Sequence, residues 1–246
     1  MSPPLSPPHA QDKLTCFFWS DETIRSRSVS DTVLSGQVAV PAPPALLTTD
    51  WELEIALQLE LEAGEVEPLP LPRARMRWPA YRQCVQAVAD WTRSLGLQEV
   101  LAVSEVALMA CRGAKYHHDA DQYGGMAFCN LFLSEDQGLD IHFPSAGRRI
   151  PLRRGTVVIF DTGQPHAVIK RDHSGFDTSD FLPGTDCSTV FLSWELPIEE
   201  IHVARALGIR FDTEPDTAVL LDEGQLLRHG ASADVCAASG RWSGAM

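Results

Sequence analysis

The feature that most constrains the fold of this chain is a series of short apolar segments between residues 99 and 196. Each segment is rich in Val, Leu, Ile, Phe or Ala, and turn-forming residues separate it from the next. Their sequences are EVLAVSEVALMACR, MAFCNLFLS, LDIHFP, GTVVIFDT, HAVIKR and STVFLSWEL. Short strands separated by turns are typical of an antiparallel barrel or sandwich, so we expect a mainly β core.

Helices are predicted on either side of this core. DWELEIALQLELEAG has a potential cap in Asp50 and a stop in Gly64, and PAYRQCVQAVADWTRSLG starts at Pro79 and stops at Gly96. Apolar residues recur at three- or four-residue spacing in both segments, as in amphipathic helices. Between them, PLPLPRARMRWP at 68–79 is predicted to be an extended connection. PIEEIHVARALGI, after the last strand, is predicted to be helical.

These segments predict one domain with four parts, which suits a chain of 246 residues with 44% hydrophobic residues. The Pro- and Ser-rich residues in 1–48 predict a partly loose N-terminal segment. Residues 49–98 are expected to form the supporting helices, 99–196 the β core, and 197–246 a helix followed by a weakly ordered tail.

The formal charge of −13 argues against a nucleic acid partner, because an acidic surface repels phosphate groups. The only basic cluster lies around a predicted hairpin, where a solvated turn is favoured over an anion site: Arg148, Arg149, Arg153 and Arg154. No apolar run is long enough to span a membrane, and MSPPLSPPHAQDK lacks the apolar stretch of a secretory signal. Six scattered cysteines without a C-x-x-C motif then favour a cytoplasmic protein with reduced thiols. The oligomeric state is not predicted.

Polar residues gather where two predicted strands end, and they suggest a metal site. His117 and Asp119, in YHHDAD, share a face if the strand is extended, because residues two apart point the same way. His166 follows GTVVIFD and a turn, at the start of the next strand. Two histidines and one carboxylate are the facial triad that binds Fe(II) and leaves open positions for substrate and oxygen. The H-x-D spacing is common by chance. The position of His166 later in the chain is therefore the observation that favours metal binding over a role in capping strand ends.

Other residues are weaker candidates for the same site. His118 and Asp121 would replace His117 and Asp119 if the strand register differs. His142, in LDIHF, could face the cavity, although a structural histidine is the favoured interpretation.

The region from about 100 to 196 resembles the iron(II)- and 2-oxoglutarate-dependent oxygenases. The matching pieces are the H-x-D of KYHHDAD, the strand MAFCNLFLSEDQG, LDIHF, RRGTVVIF and the histidine of QPHAV. This resemblance implies a mainly β fold with flanking α-helices and a double-stranded β-helix (jelly-roll or cupin-like) core. It also implies Fe(II), with 2-oxoglutarate and O2 as co-substrates. The implied reaction is hydroxylation, or another oxidation, of a C–H bond in a small molecule such as an amino acid or biosynthetic intermediate, with release of succinate and CO2.

The chain departs from this family where a cation usually holds the distal carboxylate of 2-oxoglutarate. Position 176, about ten residues beyond the second histidine, is Phe, and no Lys or Arg occurs from 172 to 204. Lys170 and Arg171 are the nearest substitutes, and on a regular strand Lys170 would share the inward face of His166. Arg112 is a further option for the cation. Candidates for hydrogen bonds to 2-oxoglutarate or substrate are Tyr116, Tyr123 and Asn130.

Two other functions remain open. GTVVIFDTGQPHAV also resembles the second cupin motif, which predicts a metal dioxygenase or isomerase that uses no 2-oxoglutarate. The first cupin motif, H-x-H, is missing, because His118 and Asp119 follow His117. The third possibility is a non-catalytic barrel that binds a ligand.

Overall fold

The computed structural model describes residues 14–57, 62–97, 100–102, 104–182 and 187–243. The strands in this part of the chain are β1 Leu14–Ser20, β2 Thr23–Ser28, β3 Val33–Gln37, β4 Val66–Leu69, β5 Val106–Cys111, β6 Ala114–His117, β7 Met126–Phe132, β8 Leu139–Phe143, β9 Arg148–Pro151, β10 Thr156–Asp161, β11 His166–Lys170, β12 Thr189–Pro197, β13 Gln225–Arg228, β14 Ala231–Ser232, β15 Asp234–Val235 and β16 Trp242–Ser243. The α-helices are α1 Ala45–Leu57, α2 Leu71–Arg77, α3 Tyr81–Ser94, α4 Ala120–Tyr123, α5 Ile201–Leu207 and α6 Pro215–Ala218.

Two antiparallel sheets form the core. The larger sheet has the strand order β3-β10-β7-β12-β5-β4, and the smaller has the order β6-β11-β8-β9. Along the chain, β5, β7, β10 and β12 enter the larger sheet, whereas β6, β8, β9 and β11 enter the smaller one. This arrangement is a double-stranded β-helix, the jelly-roll architecture. The predicted fold class, mainly β with flanking helices, is confirmed.

The larger sheet is apolar on both faces, and β7 shows how its residues alternate. Ala127, Cys129 and Leu131 belong to the core between this sheet and the helices. Phe132 belongs to the second core, between the two sheets, and Phe128 packs against it. Successive side chains of a strand point to opposite faces, so each strand of this sheet supports both cores.

The helix predictions hold in part. Of the apolar face predicted for α3, Tyr81 and Val88 are buried and Val85 and Trp91 are half-buried, and Gly96 follows the helix end with a positive φ of 80°. α1 begins at Ala45, earlier than predicted, so Asp50 lies inside the helix and forms an ion pair with Arg77 instead of a cap. The predicted continuation of this helix at 58–61 lies outside the described residues.

The extended connection predicted for 68–79 is wrong. Residues 66–69 form β4 on the edge of the larger sheet, and 71–77 form α2. Pro72 lies in the first turn of α2, where the missing N–H of proline leaves no helical hydrogen bond unmade. EVLAVSEVALMACR was predicted as one or two strands, and its described residues form a short 3₁₀ turn at 100–102 and the single strand β5.

A third sheet comes from segments for which the sequence predicts no strand. Its order is β14-β13-β1-β2, so the first described strands pair with the C-terminal region. The weak order predicted for the tail is therefore wrong for the described residues up to 243. Its small side chains show no strand pattern, but its backbone hydrogen-bonds to distant segments, including the Tyr116 N–H to the Ala237 carbonyl.

No described helix is both long enough and apolar enough to span a bilayer. All six cysteines lie in described segments, and none forms a disulfide.

Candidate metal centre

The three predicted metal ligands lie together at the ends of neighbouring strands of the smaller sheet. His117 ends β6, His166 begins β11, and these two residues pair across the strands. Asp119 immediately precedes α4. One potential ligand atom from each residue lies within 4.8 Å of the other two. The structure brings together the donor set proposed from the sequence, and metal binding itself stays a prediction.

A bulge in β6 and a turn after it determine the direction of His117 and Asp119. Val168 pairs with Ala114 and His166 with His117, so β6 contains one residue more than β11 over this interval. Such a bulge re-aims the side chains that follow it. β6 then ends, so Asp119 reaches the cluster through a turn and not as part of an extended strand. Its N–H donates to the Thr162 carbonyl at 2.8 Å, in the loop before His166.

Backbone carbonyls orient both histidine rings. His117 Nδ1 lies 2.6 Å from the Lys115 carbonyl, and His166 Nδ1 lies 3.1 Å from the Gln164 carbonyl. A carbonyl only accepts, so each Nδ1 carries a proton and each Nε2 is directed toward the cluster. These Nε2 atoms lie 3.5 and 3.6 Å from the two carboxylate oxygens of Asp119. Metal-binding histidines are characteristically oriented by a hydrogen bond of this kind.

The protein environment keeps His166 neutral. Burial, together with the nearby His117, lowers the pKa of His166 to about 4. A neutral imidazole is the form that binds a metal, so His166 is ready to bind without losing a proton at neutral pH. Asp119 makes no capping hydrogen bond to α4, so its carboxylate oxygens are available to a cation.

The alternative ligand pair does not enter this cluster. His118 points away and donates through Nε2 to the Ala233 carbonyl at 3.0 Å. Asp121 lies in the first turn of α4 and is not part of the cluster. His142 contacts the Tyr116 hydroxyl through Nδ1, which agrees with the structural role favoured for it.

A cavity of about 310 Å³ opens beside the cluster, between the two sheets. Alternate residues of β7 and β12 form one wall in three paired rows: Phe128 with Glu195, Asn130 with Ser193, and Phe132 with Phe191. Ser193 and Glu195 were not predicted from the sequence. The period-two spacing of Phe191, Ser193 and Glu195 in STVFLSWEL is the signal that could have found them.

Of the residues proposed to bind 2-oxoglutarate, Asn130 and Tyr123 line the cavity. Asn130 is 7% exposed, and its Oδ1 has no hydrogen-bond partner among the described residues. Tyr116 does not line the cavity, because the β6 bulge turns it toward His142.

The basic candidates lie away from the cavity wall. Arg171 forms ion pairs with Asp136 and Asp140 at 2.8 and 2.9 Å, which hold its guanidinium outside the cavity. Lys170 is the last residue of β11, beyond the lining residues of that strand. Arg112 donates to the Leu182 carbonyl. No Lys or Arg lines the cavity within the described ranges.

A buried ion pair joins the two loops that hold the metal ligands. Arg27, on β2, donates to both carboxylate oxygens of Asp161 at 2.7 and 2.8 Å, and both side chains are fully buried. Asp161 ends β10, before the loop to His166. Arg27 Nε also donates to the Gly124 carbonyl at 2.7 Å, directly after α4. Arg27 therefore connects the segment after Asp119 to the segment before His166.

The fold and the cluster together define a double-stranded β-helix protein with a 2-His-1-carboxylate site. No protein-family model and no curated protein matches the chain. Among solved structures, a truncated form of the viral collagen prolyl hydroxylase vCPH from Paramecium bursaria Chlorella virus-1 is similar with 10% identity and a TM-score of 0.39, over 67% of this chain and 89% of that one. The 2-oxoglutarate complex of the same viral enzyme is similar with 11% identity and a TM-score of 0.37, over 66% of this chain and 94% of that one. The non-haem α-ketoglutarate-dependent epimerase SnoN from nogalamycin biosynthesis is similar with 14% identity and a TM-score of 0.33, over 67% of this chain and 78% of that one. The functional assignment depends on this chain's own residues.

Proposed function

We propose that this protein is a mononuclear iron(II) oxygenase that oxidises a C–H bond of a small molecule held in the cavity. The observation that carries the proposal is the convergence of two Nε2 atoms and one carboxylate within 4.8 Å, beside an apolar cavity. Two imidazoles and a carboxylate suit Fe(II) and leave coordination positions open.

The protein's own groups would perform the positioning. His117, Asp119 and His166 would hold the metal, and the Lys115 and Gln164 carbonyls fix the two rings. Bound iron would supply O2 activation. Apolar side chains, including Phe132 and Phe191, line the inner part of the cavity and exclude water from a substrate held there.

The three-residue cluster suits iron, but the cavity wall lacks the cation that 2-oxoglutarate would need. A dicarboxylate held in a buried site needs a cation opposite its distal carboxylate. The described cavity wall contains no Lys or Arg, and the candidates Lys170 and Arg171 lie elsewhere. The described wall therefore offers no cation to the distal carboxylate of 2-oxoglutarate. The same observation favours a second candidate function, a metal-dependent oxygenase or isomerase of the cupin type that uses no 2-oxoglutarate.

The proposed partners are a small molecule and O2. The net charge of −13 supports the absence of a nucleic acid partner. A cytoplasmic location is proposed from the six free cysteines, because oxidising compartments favour disulfides.

Anaerobic Fe(II) titration by calorimetry tests the metal site. His117→Asn and Asp119→Asn should each weaken iron binding by more than about 100-fold, since loss of an outer partner alone costs 10–100-fold. His118→Asn is the matched control, because the adjacent His118 faces Ala233, and it should retain iron binding.

Oxygen uptake and succinate release, measured with the iron-loaded protein and candidate substrates in the presence and in the absence of 2-oxoglutarate, then separate the functions. Succinate formed in step with oxygen uptake would identify a 2-oxoglutarate oxygenase despite the cation-free wall. Turnover without 2-oxoglutarate would identify the cupin-type enzyme. If wild-type protein binds no Fe(II), both enzyme proposals are wrong and a ligand-binding barrel remains.

A further inference from the structure

The cavity row nearest the metal ligands combines a carboxylate with aromatic rings. Glu195 pairs with Phe128 across β12 and β7, and both side chains line the cavity. The Tyr123 ring packs edge-on against Phe128 with ring centroids 5.1 Å apart. Tyr123 lies in α4, which directly follows Asp119. The carboxylate and both rings therefore lie on the metal side of the cavity.

Glu195 is an acceptor without a donor. Its carboxylate makes no hydrogen bond or ion pair with any residue in the described ranges. Burial raises the pKa of Glu195, and the neighbouring Glu105 adds to this effect. Burial also raises the pKa of Tyr123, and the negative charges of Glu195 and Asp119 contribute to the rise. The charge around this row is therefore negative, and no Lys or Arg of the described lining balances it.

A second unsatisfied acceptor lies one row deeper. Asn130 pairs with Ser193, and its buried Oδ1 has no partner among the described residues. A buried polar atom without a partner is costly, so such an atom in a cavity wall points to a donor supplied by a ligand. Asn130 and Glu195 are diagonal neighbours on adjacent strands, where side chains start about 7–8 Å apart.

We propose that the substrate carries an ammonium group bound by Glu195 and the rings of Tyr123 and Phe128, with a hydrogen-bond donor about 7–8 Å away for Asn130. A carboxylate beside aromatic faces recognises a cation through charge and cation–π attraction. This inference rests on the proposed function, because it names the substrate class of the same cavity. It also explains why this wall does not suit a dicarboxylate.

Three probes of similar shape test the charge preference: 2-phenylethylamine, 2-phenylethanol and 3-phenylpropionate. Their dissociation constants would be measured by calorimetry with metal-free protein and again with anaerobic Fe(II)-loaded protein. The amine should bind about 10-fold more tightly than the alcohol, because a charge-assisted hydrogen bond adds this much or more. The propionate should bind most weakly to the metal-free protein.

Glu195→Gln should remove most of the advantage of the amine and leave binding of the alcohol within about twofold, which also shows that the variant is folded. Glu105→Gln is the matched control, because Glu105 is an exposed carboxylate near Glu195 that does not line the cavity. It should change amine binding by less than about twofold.

Equal amine binding by wild type and Glu195→Gln would overturn the proposal. So would propionate binding to the metal-free protein as tightly as the amine, or no saturable amine binding at millimolar concentration. Failure of iron binding would overturn the proposed oxygenase alone, because the metal-free measurements still decide the role of Glu195.

Discussion

Replacement of Arg27 by Met should destabilise the protein strongly, because it leaves the carboxylate of Asp161 buried without its cation. Both side chains of the pair are fully buried, so water cannot replace the lost partner without a structural opening. Burial would lower the pKa of the Arg27 guanidinium, but the charge of Asp161 raises it overall, so the arginine stays ionised. Breaking a buried pair from one side costs about 3–5 kcal/mol.

The contacts around the pair place the expected loss within that range. In Arg27→Met, Asp161 would retain hydrogen bonds from the N–H groups of Ser30 and Gly163, each at 2.8 Å. These bonds partly compensate the charge, which favours the lower end, about 3 kcal/mol. The Gly124 carbonyl would lose its hydrogen bond from Arg27 Nε, which adds roughly 1 kcal/mol. We therefore expect a decrease of about 4 kcal/mol in the free energy of unfolding.

Urea unfolding followed by tryptophan fluorescence measures this loss. Arg25→Met is the matched control, because Arg25 lies on the same strand but pairs with Asp212 and Glu199 at the partly exposed surface. It should cost less than about 1 kcal/mol. In the double variant Arg27→Met/Asp161→Asn, the loss should be smaller than the sum of the single losses by at least about 2 kcal/mol. Equal losses for Arg27→Met and Arg25→Met would refute the reasoning.

Two further predictions concern pH and backbone conformation. In EDTA, the stability from neutral His166 is fully present above its unfolded pKa, near 6.5, and is lost as pH falls to the folded value of about 4. Between these pH values, wild type should therefore lose about 3 kcal/mol more stability than His166→Gln, and parallel curves would contradict this. Gly147→Ala should cost roughly 1 kcal/mol, because its φ is 59° but a Cβ would meet no atom within 4 Å. Gly155→Ala should cost about 2 kcal/mol more, because a Cβ there would lie 2.1 Å from the Val38 carbonyl oxygen; equal melting temperatures would contradict this.

The jelly-roll strands were predictable because their side chains carry the signal. In GTVVIFD, an uninterrupted apolar run between turn residues identifies a strand buried on both faces, and all six residues of β10 are buried. His166 was predictable because it follows this strand, and His117 and Asp119 because of their H-x-D spacing. Their mutual orientation was not, since it depends on a bulge in β6 that no local pattern encodes.

Other parts of the site depend on contacts between distant segments. Arg27 lies in TIRSRS, a polar sequence without a clear strand pattern, and its partner Asp161 is 134 residues away. The cavity-lining role of Glu195 depends on which face of β12 turns inward. The outward position of Arg171 follows from Asp136 and Asp140, which become its neighbours only in the folded sheet.

The pairing of β1 with β13 has a consequence for synthesis on the ribosome. β1 can form a hairpin with β2 as soon as both emerge, but β13 follows it by roughly 200 residues, on the order of 10 seconds or more at 5–20 residues per second. During that delay, β1 has an unpaired edge and its apolar residues Phe17 and Phe18 lack their final neighbours. Exposed strand edges promote aggregation. Because β1 must wait for β13, the yield of soluble protein should depend on chaperones and on the expression temperature.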